Sequence, residues 1–329
     1  MTDVLLLSAA DVHAVFDVGT AIESQRAAFT ALGRDEALLA PRALLPAGGP
    51  AGDDVAFCYV SRLPGTGPVA KFGSVNPGNG ERGLASVSAM VTVLDEITGR
   101  PVAIIEGTSV TTLRTSAGSA VAVDHLAPTG ASRLAIIGCG VQGRAHVRAI
   151  AAVRALSEVR LHSRTPGSAT ALAADLEKEL GLPFVVAGNA QEAVEGADIV
   201  AACTTSEQPV VRGAWLSPGC VVISVGSFTP DHSEVDAEVL ARAAAIVVDD
   251  VATAVEQAGP VVNALRDGRL TEVDLLPLGR ITAGLTTARS APEDIIFFNS
   301  VGLGVQDTAA AARIVDLARA KGAGTVVAL

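Results

Sequence analysis

Three cations and one glycine run are the residues of this chain whose types and spacing can do chemistry. Lysine is scarce: 21 Arg stand beside three Lys, at 71, 178 and 321. Lys178 and Lys321 fall on helix patterns with polar neighbours, which suits a solvated face. Lys71 differs, because alternation in the strand pattern PVAKFGSV sets it beside apolar residues. A partly buried lysine has its pKa lowered and can move protons or hold a carboxylate. The alternative is a strand lysine pointing outward. Arg42 follows Pro41 in the loop-like PRALLP. Arg114 lies in TTLRTSAGSA, an otherwise apolar or small-residue helix pattern, where a cation needs an acid partner or a ligand. Three cations on separate elements can converge on one carboxylate.

Gly138-Cys139-Gly140-Val141-Gln142-Gly143 is a full GxGxxG. It follows the apolar strand LAII and precedes a helix, with a second strand pattern, EVRLHS, beyond. That context predicts a dinucleotide site. The first glycine permits a tight turn, the second lets backbone approach a pyrophosphate, and the third allows close helix–strand packing. Free N–H groups at the helix start face the anion. An NAD site usually ends the second strand with Asp or Glu to hold the ribose 2′-hydroxyl. Here the strand ends His162-Ser163-Arg164-Thr165. A hydroxyl and a guanidinium suit a 2′-phosphate, so NADP(H) is expected in preference to NAD(H), which remains possible.

These groups need elements to hold them. At 329 residues, 49% hydrophobic and 18% charged, the chain predicts two domains with sizeable cores. Residues 11–33 have helical spacing ending on Gly33, a candidate C-cap. A Gly/Pro-rich stretch spans residues 41–54. The runs VAFCYVSRL, PVAKFGSV, ASVSAMVTVLD and PVAIIEG, separated by turn signals, predict an antiparallel sheet. SVTTLRTSAGSAVAVDHLA reads as a helix. Beyond Arg133 apolar strands alternate with helices, the sign of a parallel α/β sheet covered on both faces. Residues 307–321 form a last amphipathic helix.

The net charge of −11 argues against nucleic acid as a partner. No apolar run approaches the roughly 20 residues that span a bilayer, so no membrane role is expected. Cys58, Cys139, Cys203 and Cys220 are far apart and no His pair has ligand spacing, which predicts reduced thiols, a cytoplasmic location and no metal site.

The segments APRALLP, VAKFGSVNPGN, GLASVSAMVTVLDEITGRPVAIIEGTSVTTLRTSA, LAIIGCGVQG, ADIVAACTTS, VVISVGSFTPDHSEVD, VVDD and FFNSVGLGVQD, in this order, resemble the ornithine cyclodeaminase/mu-crystallin family over nearly the whole chain. The resemblance implies a substrate-binding and dimerisation domain from residues 1–126 plus 305–329, around a Rossmann domain of 127–304, in a homodimer. It implies that Arg42, Lys71 and Arg114 hold a substrate carboxylate. Ser86 matches a family Thr near the substrate, and Val301 lies where the family chain passes nicotinamide and substrate. Cyclodeaminases carry an Asp where this chain has Phe228, and a Glu before Lys71 that AFCYVSRL lacks. Phenylalanine cannot take a proton or pair an ammonium, although Asp231 is a nearby alternative acid. The expected activity is therefore reduction of the C=N bond of a small, cyclic α-imino acid. Cyclodeamination of ornithine, an amino-acid dehydrogenase and an NADPH-dependent binding protein are the alternatives.

Overall fold

The computed structural model describes residues 3–46 and 54–329; residues 47–53 of the Gly/Pro-rich stretch lie outside them. The helical spacing of 11–33 makes two helices, α1 (Ala9–Val15) and α2 (Val18–Gly33). Asp17 divides them by capping the second, its side chain accepting the Thr20 N–H at 2.8 Å. Gly33 is not the cap: it is the last helical residue, and the positive φ falls on Asp35.

Seven strands belong to the first sheet before the chain leaves it: β1 (Asp3–Leu7), β2 (Leu38–Leu39), β3 (Ala43–Pro46), β4 (Val55–Arg62), β5 (Val69–Val75), β6 (Val87–Leu94) and β7 (Pro101–Glu106). β4 to β7 pair antiparallel, as their turn signals predict, with Tyr59, Lys71 and Val91 side by side in register. The sheet is not purely antiparallel, since β1 lies parallel to the far side of β7. Alternation leaves Val60, Phe72 and Met90 exposed on one face, while Phe57, Lys71 and Val91 are buried on the other. From β7 the chain enters α3 (Gly107–Leu126), the Ala- and Thr-rich helix that carries Arg114.

The alternating region gives β8 (Arg133–Ile137), α4 (Val141–Ala151), β9 (Glu158–His162), α5 (Pro166–Leu180), β10 (Phe184–Val186), α6 (Ala190–Val194), β11 (Ile199–Ala202) and β12 (Val221–Ser224). It continues through α7 (Ala237–Arg242), β13 (Ala243–Val248), α8 (Val251–Gln257), α9 (Gly259–Arg266), β14 (Leu275–Pro277), α10 (Leu278–Thr282) and β15 (Ile295–Asn299). The eight strands form one parallel sheet in the order β10-β9-β8-β11-β12-β15-β13-β14. Every residue of β11, β12 and β15 is buried, which is why these strands read as apolar runs, broken only at their carboxyl ends by Ser224 and Asn299. The chain runs outward from β8 to β10 and returns to β11. Strand order therefore reverses between β8 and β11, the place where doubly wound sheets take ligands at their carboxyl ends.

The chain then rejoins its first sheet with α11 (Gly304–Lys321) and β16 (Thr325–Ala328). α11 packs on α2 and across β4, β5 and β6, and β16 pairs antiparallel with β1. By contacts the chain divides into residues 1–115 with 303–329, and 116–302, so the division runs inside α3. Among the described residues no helix is long and apolar enough to cross a membrane.

Candidate active site

In the first unit, Lys71 and Arg114 meet on one carboxylate. The inward face of β5 buries Lys71 to 2% exposure, and Arg114 is 5% exposed on α3. Lys71 Nζ lies 3.4 Å and Arg114 Nε 3.3 Å from the same oxygen, Asp307 Oδ1, supplied by α11. Lys71 also donates to Thr111 Oγ1 at 2.5 Å, and the Thr111 hydroxyl in turn donates a hydrogen bond to the Gly107 carbonyl at 2.6 Å. Arg114 Nη1 donates to Gln306 Oε1 at 3.3 Å. Arg42, in the loop before β3, stacks over Tyr59 with its Cζ 4.6 Å from the ring centroid; Lys71 Nζ lies 5.8 Å from the same ring. Burial pushes the Lys71 amine down from 10.5 to about 8. Asp307 draws it back up, while Arg114 and Arg42 push it further down. Lys71 and Arg114 thus share a single carboxylate, two positive charges on one negative.

The sequence pointed to the cations but missed Asp307, Thr111 and Tyr59. The signal for Asp307 was present: an acid inside GLGVQDTAAAA, an otherwise small and apolar helical run, needs a partner. Ser86 is exposed in the turn before β6, where its carbonyl accepts the Asn76 N–H at 2.7 Å.

In the second unit the glycine loop joins β8 to α4. Gly138 has φ +100°, and a Cβ there would stand 2.6 Å from the Cys203 carbonyl oxygen. A Cβ on Gly143 would come within 2.1 Å of the Gly138 oxygen. At Gly140, the N-cap of α4, a Cβ would meet nothing within 4 Å, and no side chain caps the helix. The loop thus presents an open space ahead of bare N–H groups, which fits a pyrophosphate. Val141 is exposed in the first turn, and Gln142 gives its backbone carbonyl to His146 Nδ1 at 2.8 Å. Ser163 is half-buried, and Arg164 and Thr165 are exposed between β9 and α5.

Two buried acids shape the carboxyl edge of this sheet, and sequence reasoning gave neither a role. Glu234 accepts five hydrogen bonds from Thr204, Ser224, Val225 and Gly226. Burial nevertheless pushes its carboxyl above the ordinary range. Asp249 Oδ2 accepts the N–H groups of Val301 at 2.8 Å and Gly302 at 2.6 Å, which fixes the backbone at Val301. Phe228, 39% exposed after β12, stacks on His232 with ring centroids 6.5 Å apart. Burial raises the thiols of Cys139 to about 11 and Cys220 to about 12, which keeps both unreactive near neutral pH.

A doubly wound sheet with an open glycine loop in one unit, and a buried cation cluster in the other, define a nicotinamide-dinucleotide oxidoreductase. The chain belongs to the ornithine cyclodeaminase/mu-crystallin family, whose model matches residues 66–322. Delta(1)-pyrroline-2-carboxylate reductase of Bacillus cereus is 35% identical over 77% of this chain and 78% of that protein. The structure of Thermococcus litoralis Delta(1)-pyrroline-2-carboxylate reductase in complex with NADH and L-proline superposes with a TM-score of 0.94 at 31% identity, covering 98% of this chain and 100% of that one. An archaeal alanine dehydrogenase dimer with bound NAD gives a TM-score of 0.93 at 27% identity over the full length of both chains.

Proposed function

We propose that this protein reduces the C=N bond of a small cyclic α-imino acid to the corresponding amino acid, with Arg42, Lys71 and Arg114 holding the substrate carboxylate. The observation that carries this reading is the shared Asp307 oxygen: one carboxylate cannot neutralise both Lys71 and Arg114, so the pair retains affinity for an incoming anion. The bound nicotinamide supplies the hydride. Lys71, with its amine near 8, holds a proton at neutral pH and can release it to the imine nitrogen as carbon accepts the hydride. Carbon then carries a new C–H bond, nitrogen a new N–H bond, and Lys71 is left neutral. Phe228 offers apolar surface to a ring and no charge to a second amine. Read in reverse, the same chemistry oxidises an amino acid, in keeping with the likeness to alanine dehydrogenase.

NADP(H) is the preferred cofactor, because Ser163 and Arg164 stand where an acid would repel a 2′-phosphate. Residues 1–126 with 305–329 form the substrate and dimerisation domain, and 127–304 the dinucleotide domain. The exposed apolar face of Val60, Phe72 and Met90 suits a second copy of the chain, and the similar alanine dehydrogenase is a dimer. Four well-separated cysteines favour a cytoplasmic location. Oxidation of NADPH by purified protein against a panel of cyclic and acyclic imino acids tests the activity, with L-ornithine plus NAD⁺ or NADP⁺ as a second arm. Turnover of cyclic imines is expected. Proline and ammonia formed from ornithine faster than any imine is reduced would overturn the reading and direct attention to Asp231.

A further inference from the structure

We propose that Asp307 is a positioning residue for the imino-acid site: its shared oxygen fixes the head groups of Lys71 and Arg114 and holds the lysine's proton until the substrate takes it. The inference rests on the reading of Lys71 as proton donor given above.

Geometry argues the role. Asp307 is 1% exposed, and both cations reach the same oxygen, Oδ1, at 3.4 and 3.3 Å. Its other oxygen, Oδ2, is buried with no hydrogen-bond partner among the described residues. A buried carboxylate that leaves one oxygen unused contributes through its charge and through the two contacts it does make. Lys71 has three donors; Thr111 and Asp307 accept two. The third N–H remains for an imine nitrogen or a substrate carboxylate, and the other two contacts fix its direction.

The groups that face Lys71 come from five places. β4 presents Tyr59, β6 the apolar Val91, α3 Thr111 and Arg114, and the loop before β3 Arg42. Asp307 from α11 is the one anion among them. Without it, burial and the Arg114 and Arg42 guanidinium groups all act to strip the lysine's proton, and the pull of Asp307 that opposes them is lost.

The test is the pH dependence of kcat/KM for imine reduction in wild type, Lys71→Met and Asp307→Asn. Wild type is expected to lose activity as pH rises through about 8, where Lys71 deprotonates. Asp307→Asn keeps the shape but not the charge, so the alkaline limb should move down by about one pH unit or more. Asp307→Glu should bring the limb back toward its original position. Asp307→Ser, small enough to admit a water, provides the same readout if the Asn variant does not fold. A purely structural role lowers the rate by one factor at every pH, so a limb left in place in both charge-removing variants overturns the proposal. If Lys71→Met retains the wild-type profile, the proton-donor reading itself fails. That result is distinguishable from a Lys71-dependent limb that ignores Asp307.

Discussion

Glu234 and Thr204 meet twice: one carboxylate oxygen accepts both the Thr204 N–H at 2.6 Å and its hydroxyl at 2.8 Å. The other oxygen takes the Ser224 hydroxyl and the N–H groups of Val225 and Gly226. One side chain thereby ties together the chain leaving β11 and the chain leaving β12. The fit is close enough that a Cβ on Gly226 would stand 1.8 Å from the Thr204 carbonyl oxygen.

Removing that tie should be costly. Glu234→Ala leaves five buried or half-buried donors without an acceptor, and the expected loss of stability is on the order of 3 kcal/mol or more. Urea unfolding measures it. A change within about 0.5 kcal/mol, typical of surface sites, would contradict the role assigned to Glu234.

The glycines of the loop should separate folding from binding. Gly143→Ala forces a Cβ to 2.1 Å from the Gly138 oxygen, so both stability and dinucleotide affinity should fall. Gly140→Ala meets no protein atom within 4 Å, so the melting temperature should stay put while dinucleotide affinity drops. Calorimetric titration with NADPH beside a thermal melt checks both. Full affinity in Gly140→Ala would mean the pyrophosphate lies elsewhere.

Cofactor choice is expected to rest on Arg164. A lost charge-assisted contact is worth about 1.5–3 kcal/mol, so Arg164→Ala should weaken NADPH roughly 10- to 100-fold and leave NADH nearly unchanged. Equal affinity of the wild-type protein for the two dinucleotides would refute the preference.

His146 predicts a pH-dependent stability. It is fully buried between Ser119 Oγ at 2.9 Å and the Gln142 carbonyl at 2.8 Å, and burial pushes its imidazole down from 6.5 to about 4. The unfolded chain therefore binds the extra proton first. The contribution is fully present above about 6.5, fades as pH falls, and is gone below about 4, a span of roughly 3 kcal/mol. The stability difference between wild type and His146→Gln, followed by chemical denaturation from pH 7 to 4, should change across that window. A constant difference would show that His146 does not titrate there.

Much of this arrangement is legible in the sequence because local rules carry it. A fully buried strand such as β11 must be apolar throughout, and the tight turn at Gly138 and the close packing at Gly143 tolerate only glycine. Lys71 was visible because a lone lysine breaks a strand's alternation. Asp307 was not assigned, since its partners lie 236 and 193 residues away along the chain and no local pattern encodes that distance. The same holds for β1, whose parallel place beside β7 leaves no turn signal, and for Glu234, whose donors come from strand ends that only the folded sheet gathers. Asp17, by contrast, is a local cap whose significance was hidden inside an apolar spacing that continued on both sides of it.

The return of α11 to the first sheet sets an order on biosynthesis. Residues 3–115 emerge from the ribosome long before the helix that must cover β4, β5 and β6, with all of residues 116–302 translated in between. At a few residues per second, the nascent first sheet waits many seconds with its apolar inner face open and with Lys71 and Arg114 lacking their counter-ion. The intervening parallel sheet has no such wait, because its strands all lie within one continuous stretch. The first unit therefore matures last although it is translated first. A truncation before Gly304 should yield a folded dinucleotide-binding unit attached to a sheet exposed to aggregation and to chaperones.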